Sequence, residues 1–220
     1  MTSRHLQLKL TALAVVGSSL LAGPAAGTAS AAPCAGAGAD PVETSQKAIA
    51  RSTVCLLNKE RTARGLHKLR LNPRMSKAAR AHSLDMVAKH YFDHVSKSGH
   101  DVVDRLTKTG YLGEAQSWVV GENLAWGSGG RSTPEQIVKQ WMGSAGHRQN
   151  ILTGRFREIG LGVVIGTPSN GAPEGATYTT TFGARSGPRQ SIAARSTSRL
   201  KLRIGAPALP AHAAKFQQFR

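Results

Sequence analysis

The sequence predicts a single α+β domain in which helices come first and two neighbouring strands come late. Three observations carry that expectation. Apolar residues recur at helical spacing through the first half of the chain. Two of the three runs rich in Val, Ile, Thr and Trp lie late, either side of a Pro/Gly/Asn turn region. No internal repeat and no alternating βαβ pattern appears, which argues for separate helical and sheet layers. The 220 residues suit one domain with a real core, and 40% hydrophobic against 19% charged excludes a disordered or collagenous chain. Two cysteines are too few for a disulfide-built scaffold or a cysteine zinc cluster.

The ends read differently from the middle. Arg4 and Lys9 precede an apolar stretch over residues 10–22, and Ala29-Ser30-Ala31 offers a small-residue cleavage site. Residues 1–31 are therefore expected to be a secretory signal peptide, with the rest secreted; the apolar stretch is short for a spanning helix. Residues 32–52 are read as an N-terminal arm and the start of the first helix, and 53–184 as the folded domain. Residues 185–220 carry eight Lys and Arg and no acid, and are expected to be a basic, disordered tail. Such a tail could tether the protein to an anionic wall polymer or to lipid headgroups. In an exported chain the even pair Cys34 and Cys55 reads as a disulfide closing a loop of about 20 residues. Cys55 sits in an apolar helical stretch that suggests packing.

Within residues 41–65, Ala48, Ile49, Val54, Leu56 and Leu57 fit one helical face, and Gly65 offers a C-cap. Glu60 and Arg61 are expected to form an ion pair or a solvated face. A second helix over 75–89 carries Ala78, Ala79, His82, Met86 and Val87, with His82 at the core edge. Asp101 to Lys108 predicts a short third helix. Thr133-Pro134-Glu135-Gln136 is a strong helix start, with Gln136 able to complete a capping box. Strands are expected over 116–125, 158–165 and 176–183, and Gly127-Ser128-Gly129-Gly130 reads as a turn.

Four stretches hold the polar residues that could carry chemistry: Tyr91-Phe92-Asp93-His94, Gly121-Glu122-Asn123, Trp141 to Asn150, and Phe156-Arg157-Glu158-Ile159-Gly160. Two imidazoles and a carboxylate serve equally as mutual hydrogen-bond partners of buried polar groups or as zinc ligands, and spacing alone does not choose. His90 and His94 lack the glutamate of an H-E-x-x-H protease. Ser144 stands in a sequence one glycine short of a nucleophile elbow. Aromatic residues are 5%, thin for stacking on nucleic acid, and no nucleic-acid partner is expected.

These stretches, in this order, with Leu57 to Arg61, Ala78 to Met86, Asp104-Arg105 and Gly110-Tyr111, resemble the CAP superfamily of cysteine-rich secretory, antigen 5 and pathogenesis-related 1 proteins. The resemblance spans about 53–183. It implies a three-layer α-β-α sandwich with a cavity lined by two histidines and two acids, able in many members to bind a divalent metal. His94 and His147 match the histidines, and Glu122 one acid. Ser144 stands where the second acid normally lies, three residues past Trp141, and Glu158 is a partial substitute. The candidate ligand set, for zinc or for another ligand, is therefore His94, Glu122 and His147, with Asn123, Trp141, Ser144, Arg148, Asn150 and Glu158 as structural residues of the motifs. Arg148 and Asn150 are expected to anchor the loop after the helix. The expected function is a monomeric extracellular binding module for a lipid or cell-envelope component. The alternatives are a metal-dependent hydrolase using the cavity residues and a surface-attached protein bound through its tail.

Overall fold

A computed structural model describes residues 34–187 apart from Glu114 and Pro173. The expected signal peptide and most of the expected tail lie outside these residues. Helix α1 (Gln46–Thr62) begins at Ser45, whose hydroxyl accepts the Ala48 N–H, and residues 34–45 precede it as a short arm. The Cys34–Cys55 disulfide ties that arm to α1. Cys55 itself stands on the exposed side of the helix, so the cysteine joins the arm instead of packing into the core. Past α1, Gly65 takes a left-handed conformation (φ 71°) and the Leu66 N–H returns to the Arg61 carbonyl.

Arg61 differs from its sequence expectation. It is fully buried and donates to the carbonyls of His67, Ile151, Thr153 and Phe156, while Glu60 pairs with Arg64 instead. The guanidinium fork satisfies carbonyls that a buried connection would otherwise leave orphaned.

Strand β1 (Arg70–Leu71) follows, then α2 (Pro73–Lys89), capped by Asn72. Helix α3 (Val102–Lys108) opens with a reciprocal capping box between Asp101 and Asp104. Strand β2 (Ser117–Ser128) is longer than expected, because Gly127 and Ser128 continue the ladder; the 3-10 turn Gly129–Ser132 follows. Thr133 caps α4 (Pro134–Gly143) through the Gln136 N–H. The loop expected after that helix, with Arg148 and Asn150, is instead helix α5 (Ala145–Leu152). Strands β3 (Glu158–Ile165) and β4 (Gly175–Ser186) complete the sheet, and Arg185 and Ser186, placed with the tail from sequence, are the last residues of β4.

The sheet order is β1-β3-β4-β2, antiparallel except for the β1–β3 pair. One core cluster joins Ile49 and Leu57 of α1, Ile137 and Trp141 of α4 and Ile151 of α5 to Ile159, Leu161 and Val163 of β3 and Tyr178 and Phe182 of β4. A second joins Met75 and Ala78 of α2, Val102 and Leu106 of α3, Tyr111 and Val120. Helical layers therefore cover both faces of the sheet, and the α+β, three-layer expectation is met. The alternation along β3 shows how close the layers lie. Ile159, Leu161 and Val163 feed the first core, while on the other face a Cβ on Gly162 would collide with the Arg80 backbone. Only glycine lets α2 rest directly on the strand.

Candidate functional site

Glu122 enters the site from the middle of β2, between the apolar pairs Val119-Val120 and Leu124-Ala125. Its carboxylate is buried and needs partners. Two come from the elements packed on that face. The His94 Nδ1–H donates to Oε1 at 2.9 Å, and Arg105 Nη2 on α3 donates to Oε1 at 3.0 Å and Oε2 at 2.8 Å. A carboxylate only accepts, so Nδ1 of His94 carries the proton, and in the neutral ring Nε2 holds the lone pair. Burial opposes ionisation of Glu122. The His94 hydrogen bond and the Arg105 charge outweigh it and hold the carboxyl below its ordinary range.

Arg105 also organises the loop that carries His94. Its guanidinium donates to the carbonyls of His94 (3.1 Å) and His100 (2.8 Å). At the start of that loop His90 adopts a left-handed conformation (φ 52°) that ends α2, and Tyr91 donates its hydroxyl to Asp85 at 2.5 Å. His82 lies beneath. Its Nε2–H donates to the Asp93 carbonyl at 2.9 Å, while Nδ1 is buried without a partner. Burial lowers the His82 pKa, partly opposed by the Glu122 charge, so the ring is neutral in the fold.

His147 stands on α5, half-buried, with Nδ1 lacking a partner. Its pKa is lowered by burial and then by His94. Asn123, Asn150 and Trp141 connect α4 and α5 to β2. Asn150 Nδ2 donates to the Glu122 carbonyl and to Asn123 Oδ1, Asn123 Nδ2 to the His147 carbonyl, and Trp141 Nε1 to the Leu124 carbonyl. Arg148 caps the Met142 carbonyl. Ser144 begins α5 without making a side-chain capping bond.

Of the candidate set, the structure joins His94 to Glu122. Among the described residues no three His, Cys, Asp or Glu side chains gather closely enough to hold a metal ion. Both Glu122 oxygens are engaged, and Glu158 is held by Asn72, Tyr111 and Arg185. Two imidazoles alone fall short of the three protein ligands of a catalytic zinc. The residues as arranged do not fit a zinc centre. Arg105 is the residue that the sequence reading missed. Its signal was available, since an acid inside an apolar strand calls for a cation, but several arginines could have answered.

Two concavities border this cluster. One, about 310 Å³, lies between α2, α3 and the loop before α3, with His82, Asp85 and Arg105 on its wall. The other, about 710 Å³, lies between β2 and α4 and is lined by Phe92, Leu124, Trp126, Ser144 and His147 among others.

Comparison with known proteins places these features. The model of the cysteine-rich secretory protein family, CAP, matches residues 54–181. Among curated proteins, YkwD of Bacillus subtilis, described as uncharacterized, is 41% identical over 121 residues, which are 55% of this chain and 44% of that protein. YlbC of the same organism, an uncharacterized membrane protein, is 33% identical over 108 residues, 49% of this chain and 29% of that protein. The chain thus spans less than half the length of these relatives. Among solved structures, an extracellular SCP-domain protein of Bacillus anthracis aligns with a TM-score of 0.53 at 27% identity, covering 62% of this chain and 40% of the other. An outer surface protein of Borrelia burgdorferi shares the fold, with a TM-score of 0.50 at 19% identity over 60% of this chain and 90% of its own.

Proposed function

The chain belongs to the cysteine-rich secretory protein (CAP) family, and from that premise we propose that it acts outside the cell as a binding module, with His94, Glu122 and His147 as the heart of its site. No described helix is long and apolar enough to cross a membrane, which accords with that location. One observation carries the reading. Arg105 and His94 occupy the carboxylate that a hydrolase would need. A general base works best near the operating pH with a free oxygen facing the substrate. Glu122 is instead held below its ordinary pKa, is buried, and has both oxygens engaged. Metal activation of water meets the same obstacle.

What remains open to a ligand is the half-buried His147 and the groove beside it, while His94 is buried behind them. The groove combines apolar Phe92, Leu124, Ala125 and Trp126 with amide and hydroxyl groups, a mixture suited to binding. The ligand classes in view are a lipid and a cell-envelope component.

The test is to incubate the purified protein with envelope lipid extract and with wall fragments, and to identify by mass spectrometry what stays bound. A protease panel is run on the same material. Retention of a defined species without peptide hydrolysis is the expected result. Robust hydrolysis that disappears in His147→Ala would overturn the reading.

A further inference from the structure

Strand β2 is the outermost strand on its side of the sheet, and its free edge is covered along only part of its length. In an antiparallel ladder the backbone polar groups of alternate residues point away from the partner strand. The carbonyls of Glu122 and Leu124 accept from Asn150 and Trp141, which puts the even-numbered residues of β2 on the outward side. Trp126 and Ser128 are the next two. Among the described residues no turn, loop or side-chain hydrogen bond meets the Trp126 backbone, whereas the Ser128 carbonyl opens the 3-10 turn Gly129–Ser132 and only its N–H stays on the free edge. An unpaired strand edge is a template for another extended chain.

That stretch borders the groove of about 710 Å³. Residues 124–128 form one wall, about 17 Å long at strand spacing. On the α4 side stand Gln136 and Gln140, whose amides each offer a donor and an acceptor. Arg131 and Lys139, both exposed, are the charged residues of the lining, and no Asp or Glu joins them. The groove also reaches Ser144 and His147, at the start of α5. No side-chain cap and no first-turn acid neutralises that helix end.

We propose that this groove takes an extended acidic peptide, which pairs with β2 through the Trp126 N–H and C=O and the Ser128 N–H and sets carboxylates against Arg131 and Lys139. The proposal rests on the reading of the chain as a binding module and names its ligand class. Charge complementarity calls for an anion, and the unpaired N–H and C=O groups select a peptide among anions. A phosphodiester polymer or an anionic lipid supplies no alternating donors and acceptors to the strand.

The test uses the full chain and the hexapeptide Val-Glu-Val-Glu-Val-Glu, followed by calorimetry and by the backbone amide signal of 15N-labelled Trp126. Three probes stand beside it: the same peptide with Lys for Glu, a backbone N-methylated form, and polyphosphate. Binding of the acidic peptide should shift the Trp126 amide. The double variant Arg131→Gln, Lys139→Gln, altered only at exposed positions, should weaken binding by about tenfold or more. The lysine and N-methylated peptides should bind correspondingly worse. Equal affinity in the double variant would place the peptide on some other basic segment and overturn the proposal. Polyphosphate competing with the same dependence on Arg131 and Lys139, with N-methylation making no difference, would leave a charge groove and no strand pairing. Absence of binding also overturns it, while a lipid or wall fragment retained in the earlier assay would leave the binding-module reading intact. Hydrolysis of the hexapeptide, lost in His147→Ala, would instead sink that reading itself.

Discussion

Arg105 Nη2 spans both oxygens of the buried Glu122 carboxylate, at 3.0 and 2.8 Å, and the same nitrogen reaches the His94 carbonyl at 3.1 Å. One cation therefore neutralises the acid and fixes the loop bearing its second partner. Removing one member of a buried pair strands the other, which costs about 3–5 kcal/mol. Arg105→Met should lower stability by that amount in urea unfolding. Adding Glu122→Gln should recover much of the loss, because the buried charge is gone. If the double variant is no more stable than Arg105→Met alone, the pair is not the source of the effect.

Acid should unfold the domain in two stages. The folded pKa of His82 is depressed below its ordinary 6.5 by burial, so the unfolded chain binds the proton more readily. That stabilisation is complete above about pH 6.5 and is lost as pH falls through the folded value. Glu122 is also depressed, from an ordinary 4.5, and its contribution is present above that value and lost below it. Urea midpoints should accordingly fall between pH 7.5 and 5.5 and fall again toward pH 3.5. His82→Gln should reduce the upper stage while leaving the lower one, and the part that persists belongs to His147, whose pKa burial also depresses. An unchanged upper slope would remove His82 from this account.

Gly162→Ala tests the contact between α2 and β3. The added methyl would run into backbone atoms of Arg80 and Ala79, and backbone cannot rotate away as a side chain can. A loss of about 3 kcal/mol or more is expected in thermal unfolding. Gly154→Ala, whose nearest neighbour is a Leu66 side-chain carbon at 3.5 Å, should be mild by comparison.

These positions also show what the sequence made legible. Strand β3 was readable to the residue because Ile159–Ile165 is a run of apolar residues and glycine that follows Glu158 and is bounded by turns. Strand β1 was invisible, since two residues carry no periodicity and pair only because β3 lies beside them. Helix α5 was read as a loop because Gly143 and Ser144 break the helix before it and Gly146 is a poor helix former, and tertiary bonds through Asn150 override that preference. Arg61 looked like surface because residue type signals burial only on average, and three of its four carbonyl partners lie 90 or more residues later in the chain. His94 and Glu122 could be named from their motifs. That they meet, and that Arg105 joins them, depends on how α3 docks against β2.

The basic segment leads to a prediction independent of the fold. Deleting residues 188–220 spares β4, which ends at Ser186, and removes seven of the 29 basic residues with no acid. If that segment tethers the protein to an anionic surface, the shortened form should be released from cell-surface material at low salt. Equal retention would place attachment in the folded domain.

Arg61 has a consequence for how the domain is made. Its carbonyl partner at Phe156 lies 95 residues later in the chain. At about 5–20 residues per second that separation takes roughly 5–20 seconds to synthesise. Helix α1 is thus among the earliest parts to leave the ribosome and among the last to be locked in place. Until the connection between α5 and β3 arrives, the Arg61 guanidinium must stay in water, and the first core cannot close around it. The domain is kept pliable by its own wiring for as long as most of it is still being translated.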